Sequence, residues 1–277
     1  MIRVPAITRW LATVFLFALA IIWMVPVWIM VVTALTPPEQ RVTELGGLLV
    51  GDLSLRNFQI VLADAPIFNH LANSLVITLS SVALVVMFGA MAGYAFARMR
   101  IRGKNAWFFL LITTMMLPGA TLIVPLFQIN KSLGLLDTYF GLILPYTALG
   151  LPFAIIVLRS FFEALPLELE EAARLDGVSQ VRIFWYIALP LSWPALTVVV
   201  IIQFMSSFNE FLLALIMIDS DSIKPLSLVP MTYSGRYSLQ PGAMFATLTL
   251  MTLPVVAVYL AMQRFMISGL TAGAVKG

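Results

Sequence analysis

Six long apolar stretches, separated by short polar segments, dominate the pattern along the chain. They cover residues 11–35, 73–97, 106–127, 139–161, 193–218 and 243–265. A helix needs about 20 mainly apolar residues to cross the roughly 30 Å of hydrocarbon in a bilayer, and each stretch reaches that length. Because only helices and closed barrels satisfy the backbone in lipid, the pattern predicts an all-α membrane protein. We expect six transmembrane helices in one domain, residues 1–277.

Prolines fall inside several predicted spans, at Pro26, Pro118, Pro125, Pro145, Pro152 and Pro254. A proline inside a helix removes one backbone hydrogen bond, and in lipid a neighbouring helix or water must satisfy the freed carbonyl. Two interpretations are open: the prolines kink helices for packing, or they mark segments that line a cavity. No inverted repeat is visible, which disfavours many secondary-transporter architectures.

Basic residues concentrate in the segments on one side of the predicted membrane. That side carries Arg3, Arg9, Arg98, Arg100, Arg102, Lys104, Arg159, Arg174, Arg182, Arg264 and Lys276. The opposite side carries Arg41, Arg56, Lys131, Lys224 and Arg236. Because short cytoplasmic loops are enriched in Lys and Arg, we expect both termini to be cytoplasmic.

Composition supports the membrane assignment. Hydrophobic residues make up 61% of the chain and charged residues 10%, and the mean hydropathy is +1.01, far outside the range of soluble domains. The basic residues follow the topology and do not interleave with stacking aromatics, so nucleic-acid binding is not expected. The expected surroundings are membrane lipid.

Catalytic chemistry finds little support in the sequence. The chain has no cysteine and a single histidine, His70, so thiol catalysis, cysteine metal sites and histidine clusters are not expected. Gly103-Lys104 lacks the upstream glycine of a phosphate-binding loop, so the chain should not hydrolyse nucleotides. We therefore expect no enzyme activity, no catalytic residue, no cofactor and no metal. An intramembrane enzyme would need a nucleophile, a base and an acid in one constellation.

Glu210, next to Asn209, is the one acidic residue inside a predicted span. An unpaired charge there would be costly, so the carboxylate should pair or face water. Two roles remain open: a place in a translocation path, or a structural hydrogen bond to a neighbouring helix. A transporter driven by protons or sodium would need more ionisable residues within the membrane than this one.

Residues 163–190 form a charged and then amphipathic stretch between the fourth and fifth predicted spans. Pro166 can open a short helix, and Gly177 can supply the left-handed residue that ends it. Ser179 offers a cap for a second helix, in which apolar residues recur at helical spacing until Pro190. The sequence predicts a helix-Gly-helix elbow at the cytoplasmic membrane surface.

Acidic residues crowd the first arm of this elbow, at Glu168, Glu170 and Glu171. The helix dipole favours acids near a helix N-terminus, which explains the charge but not the adjoining Ala172-Ala173 pair. Small residues beside an acid suit a helix that lies close in a groove of another protein. The elbow is therefore a candidate docking surface.

The chain resembles permease subunits of bacterial ATP-binding-cassette importers. Glu171-Ala172-Ala173, then Gly177 after three residues and Ile187 to Pro190 after nine more, match their EAA signature. Segments typical of the carbohydrate class, including the maltose-permease G-type subunits, are LRNFQIVL (55–62), NSL (73–75), GYAFAR (93–98), FNEFLLAL (208–215) and the tail 263–277. The chain departs from that pattern at Phe208, where tryptophan is common, and at Ala274, where glycine is common.

The resemblance implies a type I importer permease fold in the bacterial inner cell membrane. It implies four kinds of partner: a second, non-identical permease, two ATPase subunits, an external solute-binding protein near the loop between the fifth and sixth spans, and a sugar substrate. The ATPase-coupling residues implied are Glu171, Ala172, Ala173, Gly177, Leu189 and Pro190. A second contact with the ATPases is expected at the tail residues Gly269, Thr271, Gly273 and Lys276.

The function implied by the resemblance is ATP-driven sugar import through a pore of which this chain forms half. The elbow would act as a lever that rocks the spans between inward-open and outward-open states. The alternative is a related importer for glycerol phosphate, polyamines, amino acids or another small solute, because the identity of the solute cannot be read from one pore subunit.

Overall fold

The computed structural model describes residues 6–39, 51–235 and 238–274. The chain divides into two compact units. The first comprises Met1–Ile67 and Val229–Leu253, and the second comprises Phe68–Leu228 and Pro254–Gly277.

Helices account for nearly all of the regular structure. In chain order they are α1 (Ala6–Leu35), α2 (Arg56–Asp64), α3 (Ile67–Arg98), α4 (Lys104–Thr114), α5 (Ile123–Ser132), α6 (Phe140–Ala164), α7 (Leu167–Leu175), α8 (Gln180–Ile183), α9 (Leu189–Leu191), α10 (Trp193–Phe208), α11 (Leu212–Met217) and α12 (Pro241–Ala274). Gly119–Leu122 and Leu226–Tyr233 are 3₁₀ turns, and Phe184–Ala188 is a π-turn. Two short strands, β1 (Ser234–Gly235) and β2 (Ser238–Leu239), pair antiparallel.

Four of the described helices are long and apolar enough to cross a membrane. They are Ile7–Leu35, Ile67–Arg98, Phe140–Ala164 and Pro241–Gln263. The number rises to six if two bent pairs each cross as one span: Lys104–Thr114 with Gly119–Ser132, and Gln180–Leu191 with Trp193–Phe208. These helices agree with a protein that passes through the membrane several times. The last helix continues past residue 265, the predicted end of the sixth span, to Ala274.

The third predicted span, residues 106–127, is not one straight helix. Its two halves, Lys104–Thr114 and Gly119–Ser132, are bent by 98° relative to each other. Pro118 explains the break, because a proline has no N–H to donate and disfavours helical geometry at the residue before it. The backbone at Pro118 is extended, with ψ of 130°.

The fifth predicted span, residues 193–218, is also interrupted. Helix α10 ends at Phe208, and α11 begins at Leu212. The Glu210 carboxylate accepts hydrogen bonds from the backbone N–H groups of Leu213 and Ala214, at 3.0 and 3.2 Å. A side chain thus satisfies donors that a continuous helix would direct to carbonyls, and the chain starts a new helix after Glu210.

In the first unit, Asn57 connects three elements. Its Nδ2 donates hydrogen bonds to the carbonyls of Ala34 and Thr36, at 2.9 and 2.7 Å, and so satisfies acceptors at the end of α1. The first turn of α12 packs on the same side chain, because a Cβ at Gly242 would stand 2.5 Å from Asn57 Nδ2. Only glycine allows this close approach without movement of Asn57.

In the second unit, α3 crosses α6 at short range. A Cβ at Gly93 would lie 3.0 Å from the backbone nitrogen of Arg159, and a Cβ at Gly89 would lie 2.9 Å from Ala154 Cβ. Small residues at both positions let the two helix backbones approach closely. The crossing fixes the last turns of α3 beside the end of α6, where the elbow begins.

The loop that follows α11, residues 218–226, is held by side chains of the same unit. Asp137 Oδ1 accepts from the backbone N–H groups of Asp219 and Ser220, at 3.0 and 2.9 Å. Asn73 on α3 donates from Nδ2 to the Lys224 carbonyl at 3.1 Å. The Ser220 hydroxyl and these backbone N–H groups hold the pKa of the Asp137 carboxyl below its usual range, because they stabilise its charged form.

Candidate functional site: the elbow and the Glu210 cavity

The first arm of the elbow is α7, and it ends in a left-handed glycine. Gly177 has φ of 76°. The N–H of Val178 donates to the Ala173 carbonyl and the N–H of Gly177 to the Arg174 carbonyl, both at 3.0 Å, which is the hydrogen-bond pattern of a Schellman motif. A Cβ at Gly177 would meet no atom within 4 Å. Backbone geometry, and not lack of space, therefore favours glycine here.

The second arm is less regular than its sequence predicts. Ser179 occupies the N-cap position of α8 with an extended backbone, but its side chain makes no capping hydrogen bond. The chain then passes through the π-turn Phe184–Ala188 into α9. Pro190 lies within α9 and does not end it; the helix ends at Leu191, and the chain bends by 75° before α10.

The outer face of the elbow combines a carboxylate with exposed apolar side chains. Glu171 and Ala172 are exposed. Leu175 is 90% exposed, and Tyr186 on the second arm is 78% exposed. Glu171, Ala172 and Leu175 share one face of α7 by helical spacing, and an exposed Leu beside a carboxylate outside the predicted spans suits a contact with another protein.

The six predicted coupling residues differ in their exposure. Glu171, Ala172, Gly177 and Pro190 are exposed, Leu189 is partly buried, and Ala173 is buried at 8% exposure. Ala173 therefore packs inward, so the Ala172-Ala173 pair does not present two small side chains to a partner. Helical periodicity explains the split, because adjacent positions on a helix point about 100° apart.

The inner face of the elbow carries a buried ion pair that the sequence reasoning missed. Glu170 and Arg98 have side chains only 4% and 7% exposed, and Arg98 Nε lies 2.9 Å from Glu170 Oε1. Tyr94 donates from its hydroxyl to Glu170 Oε2 at 3.2 Å, and Arg174 Nη2 lies 3.3 Å from the same oxygen. The sequence did contain a signal for the burial of Glu170. Glu170 lies three residues before Ala173 and therefore on the same face of α7 as that small, buried residue.

Glu210 faces a small cavity of about 170 Å³. The cavity is lined by Tyr146, Leu149, Gly150, Gln203, Ser206, Ser207 and Glu210. The Tyr146 hydroxyl donates to Glu210 Oε2 at 2.8 Å, and Gln203 Nε2 donates to Ser207 Oγ at 2.8 Å. The cavity therefore has hydroxyl, amide and carboxylate groups on its wall, the groups that hydrogen-bond a hydroxylated ligand.

The structure separates the two residues predicted for a translocation path. Glu210 lines the cavity, whereas Asn209 is exposed and donates from Nδ2 to the Met205 carbonyl of its own helix at 2.9 Å. Of the tail residues, Gly269, Thr271 and Gly273 lie within α12. Lys276 lies outside the described residues.

The geometry around the single histidine is that of a structural residue. His70 is 4% exposed, and its Nδ1 lies 2.9 Å from the Lys224 carbonyl, so this nitrogen carries the proton and donates it. Among the residues that the structure describes, no group of three His, Asp or Glu side chains could hold a metal ion.

Comparisons with known proteins agree with this architecture. Residues 85–271 match the family described as "Binding-protein-dependent transport system inner membrane component". The chain is 34% identical over 234 residues to the trehalose transport system permease protein of Mycobacterium tuberculosis, covering 84% of this chain and 85% of that protein. It is 33% identical over 280 residues to the trehalose/maltose transport system permease protein of Thermococcus litoralis, covering 99% of each.

A solved structure supports the same fold. A chain of a bacterial ABC transporter that imports the acidic polysaccharide alginate superposes with a TM-score of 0.77 at 24% identity, covering 95% of this chain and 98% of that one. The all-α membrane fold is thus that of a type I importer permease, and the family is a transport component and not an enzyme. The chain belongs to the family of binding-protein-dependent transport system inner membrane components.

Proposed function

We propose that this chain is a membrane-spanning subunit of an ATP-driven sugar importer and that it forms half of the translocation pore. The observation that carries the proposal is the elbow, whose inner face is buried in the second unit and whose outer face is exposed. Two relatives support the sugar assignment, because they are named as trehalose and trehalose/maltose permeases. The complex proposed contains a second, non-identical permease, two ATPase subunits and a solute-binding protein.

The outer face of the elbow is the proposed ATPase contact. Its exposed carboxylate, Glu171, stands on the same short helix as Leu175, which is 90% exposed. A groove with a basic residue and an apolar floor would complement both side chains. The tail residues Gly269, Thr271, Gly273 and Lys276 are proposed as a second contact. Deleting residues 271–277 should then reduce ATPase co-purification, and unchanged uptake and ATPase association would contradict this second contact.

The Glu210 cavity is the proposed part of the translocation path in this subunit. Its wall offers a carboxylate, a phenol hydroxyl, an amide and two serine hydroxyls, and a pore for sugars needs groups that exchange hydrogen bonds with hydroxyls. A cavity of about 170 Å³ is smaller than the roughly 300–1,000 Å³ usual for ligand sites. The second permease would supply the remaining wall.

The proposed orientation places the elbow and both termini in the cytoplasm, as the distribution of Lys and Arg predicts. Residues 218–226 then lie on the outer side, where the solute-binding protein approaches. Because Asp137 and Asn73 already hold this loop, little conformational freedom would be lost on contact with that protein.

The proposal is tested by two substitutions on the elbow, Glu171→Ala and Gly177→Val. A side chain at a left-handed glycine costs roughly 1 kcal/mol, and more when it is β-branched, which a bundle of membrane helices should tolerate. Loss of a charge-assisted contact in a partly buried groove costs about 1.5–3 kcal/mol, or roughly ten- to hundredfold in docking. Both variants should reach the membrane at near-normal levels but lose uptake of labelled trehalose or maltose.

Three measurements, made in parallel, decide the outcome: membrane abundance, co-purification of the ATPases and uptake. Glu163→Ala is the matched control, because Glu163 is an exposed acid at the end of α6, before the helix that carries the proposed contact, and its uptake should be normal. Normal uptake in both elbow variants would remove the elbow from the mechanism. Absence of both variants from the membrane would assign Glu171 and Gly177 to folding instead.

A further inference from the structure

The buried ion pair on the inner face of the elbow joins elements that are not consecutive in sequence. Arg98 is the last residue of α3, and Glu170 lies in α7. Arg98 Nε contacts Glu170 Oε1 at 2.9 Å. Arg98 Nη2 also donates to the Leu165 carbonyl, at the end of α6, at 2.6 Å. One guanidinium group thus touches both the end of α6 and the first arm of the elbow.

Further polar contacts extend this pair into a cluster that reaches the second arm. Tyr94, one turn before Arg98 on α3, donates to Glu170 Oε2 at 3.2 Å. Gln180 on α8 donates from Nε2 to the Tyr94 hydroxyl at 2.5 Å and accepts from Arg174 Nη2 at 3.0 Å. Side chains of α3, α7 and α8 therefore form one hydrogen-bond network.

The covalent connections of the elbow explain why this cluster is significant. The chain joins the elbow directly to α6 at one end and to α10 at the other. Helix α3 has no such connection, so it can follow the elbow only through non-covalent contacts, made either with α6 or with the elbow itself. Beside the ion pair, these include ring contacts of Tyr94 with Phe162 and Phe184, at 5.4 and 5.2 Å between centroids. Apolar contacts are not directional and permit sliding, whereas the planar Arg98 guanidinium lies 2.9 Å from Glu170 while it donates to the Leu165 carbonyl, and so ties the two elements at one position.

Stability alone gives a poor account of a buried ion pair. The desolvation of two charges can exceed their attraction, and apolar side chains of similar volume often stabilise a protein as well or better. Geometric specificity is the property that such a pair adds. The elbow, acting as a lever, can move α3 only if the two elements keep a fixed position relative to each other, and geometric specificity provides this.

We infer that Arg98 and Glu170 are positioning residues through which movement of the elbow is transmitted to α3 during transport. This inference rests on the proposed function. The two residues lie outside the proposed contacts with nucleotide and solute, and the proposed ATPase contact is the opposite face of α7. Loss of the pair should therefore uncouple ATP hydrolysis from transport without preventing ATPase association.

The test uses the complete transporter reconstituted in proteoliposomes with its binding protein, and with radiolabelled trehalose or maltose, whichever sugar protects that binding protein against heat. The key variant is the double substitution Arg98→Met and Glu170→Met, which removes both charges and keeps similar volume. Glu170→Met leaves the buried Arg98 without its counterion and should be depleted from the membrane, whereas in Arg98→Met the Glu170 carboxylate keeps Arg174 and Tyr94 as partners. The double variant should recover abundance and keep its ATPases, but it should transport at least about tenfold less sugar per ATP hydrolysed, equivalent to roughly 1.4 kcal/mol of coupling.

A matched control comes from the neighbouring pair Arg159 and Glu163, whose Nε and Oε1 lie 2.8 Å apart with Glu163 44% exposed. Glu163→Gln should leave the ratio of sugar to ATP unchanged. A normal ratio of sugar to ATP in the double variant would overturn the inference and would leave Arg98 and Glu170 with a structural role only. If the double variant does not reach the membrane, Arg98→Lys decides, because it keeps the charge and loses the planar guanidinium. A normal ratio in Arg98→Lys would then overturn the inference.

The result is distinguishable from a failure of the proposed function. If the wild-type complex neither holds ATPases nor hydrolyses ATP in response to the loaded binding protein, the proposed function fails. If the wild-type complex transports and the double variant couples normally, only the role of Arg98 and Glu170 fails.

Discussion

Glu170 in the elbow and Glu210 beside the cavity are two glutamates of the second unit whose carboxylates are bound by different kinds of partner. The carboxylate of Glu170 is paired with the Arg98 guanidinium, and its side chain is 4% exposed. Glu210 is bound by neutral donors, the Tyr146 hydroxyl and the backbone N–H groups at the start of α11, and it is partly exposed to a cavity. The charge of Glu170 is balanced by Arg98 inside the protein, whereas the Glu210 carboxylate can accept a hydrogen bond from a ligand in the cavity.

The difference between the two sites matches the two roles that we propose for them, force transmission and solute contact. A charge that is fully paired inside the protein fixes geometry and excludes other partners. A carboxylate held by neutral donors stays oriented, and it can still exchange one hydrogen bond for another. The elbow has the first arrangement and the cavity has the second.

The largest expected effect comes from Glu170→Ala. It leaves Arg98 buried without its counterion, which costs about 3–5 kcal/mol, so the variant should unfold at a much lower temperature or be missing from the membrane. Glu210→Ala removes the acceptor that the Tyr146 hydroxyl and the first N–H groups of α11 share, which costs about 1–2 kcal/mol because water in the cavity can replace it. Thermal denaturation of the purified complexes measures both, and equal losses would erase the proposed difference between the sites.

A second effect is expected at Gly150, on the cavity wall. A Cβ there would stand 2.0 Å from Gln203 Oε1, so Gly150→Ala must displace the amide that bonds Ser207 and the Tyr146 carbonyl. Overpacking of this kind costs roughly 1–3 kcal/mol, and uptake should fall because the cavity is filled.

Gly119→Ala is the control for Gly150→Ala, because a Cβ at Gly119 meets nothing within 4 Å. It should leave both thermal stability and sugar uptake close to wild type. Normal uptake in Gly150→Ala would show that the cavity is not part of the path.

A smaller effect separates two adjacent serines of the cavity. Ser207 is buried and bonded to Gln203 and Ser81, at 2.8 and 3.0 Å, whereas Ser206 is exposed at the cavity wall. Ser207→Ala should lower the free energy of unfolding by about 1 kcal/mol. Ser206→Ala should leave stability unchanged and raise the sugar concentration needed for half-maximal uptake. The reverse assignment would contradict the proposed division between support and contact.

The smallest effect concerns Asp137, a third carboxylate that is bound by hydroxyl and backbone donors near solvent. Because its pKa is lowered in the folded protein, its contribution to holding residues 218–226 is present above the ordinary Asp pKa and is lost only as pH falls through the lowered value. Hydrogen exchange of this loop should therefore not change between about pH 5.5 and pH 8. Asp137→Asn should increase exchange modestly, and a wild-type change within that pH range would implicate another group.

The sequence alone determined the features that depend on local pattern. Apolar length predicted the membrane helices, and Gly177 predicted the end of the first elbow arm, because a left-handed residue after a helix is a local property of glycine. The EAA spacing and the tail also indicated the family that the comparisons show. These features are encoded within about one helical turn or one span of the chain.

The tertiary structure decided which neighbour of each polar pair faces inward. Glu170 and Glu171 are consecutive acids, yet one is buried against Arg98 and the other is exposed, and only the packing of α7 on α3 distinguishes them. Likewise Glu210 turns into the cavity, while Asn209 bonds its own helix. Arg98 lies 72 residues before Glu170, and Tyr146 lies 64 residues before Glu210. Such distant pairs leave no periodic signal, because the free energy of burying a charge depends on the partner that folding brings to it.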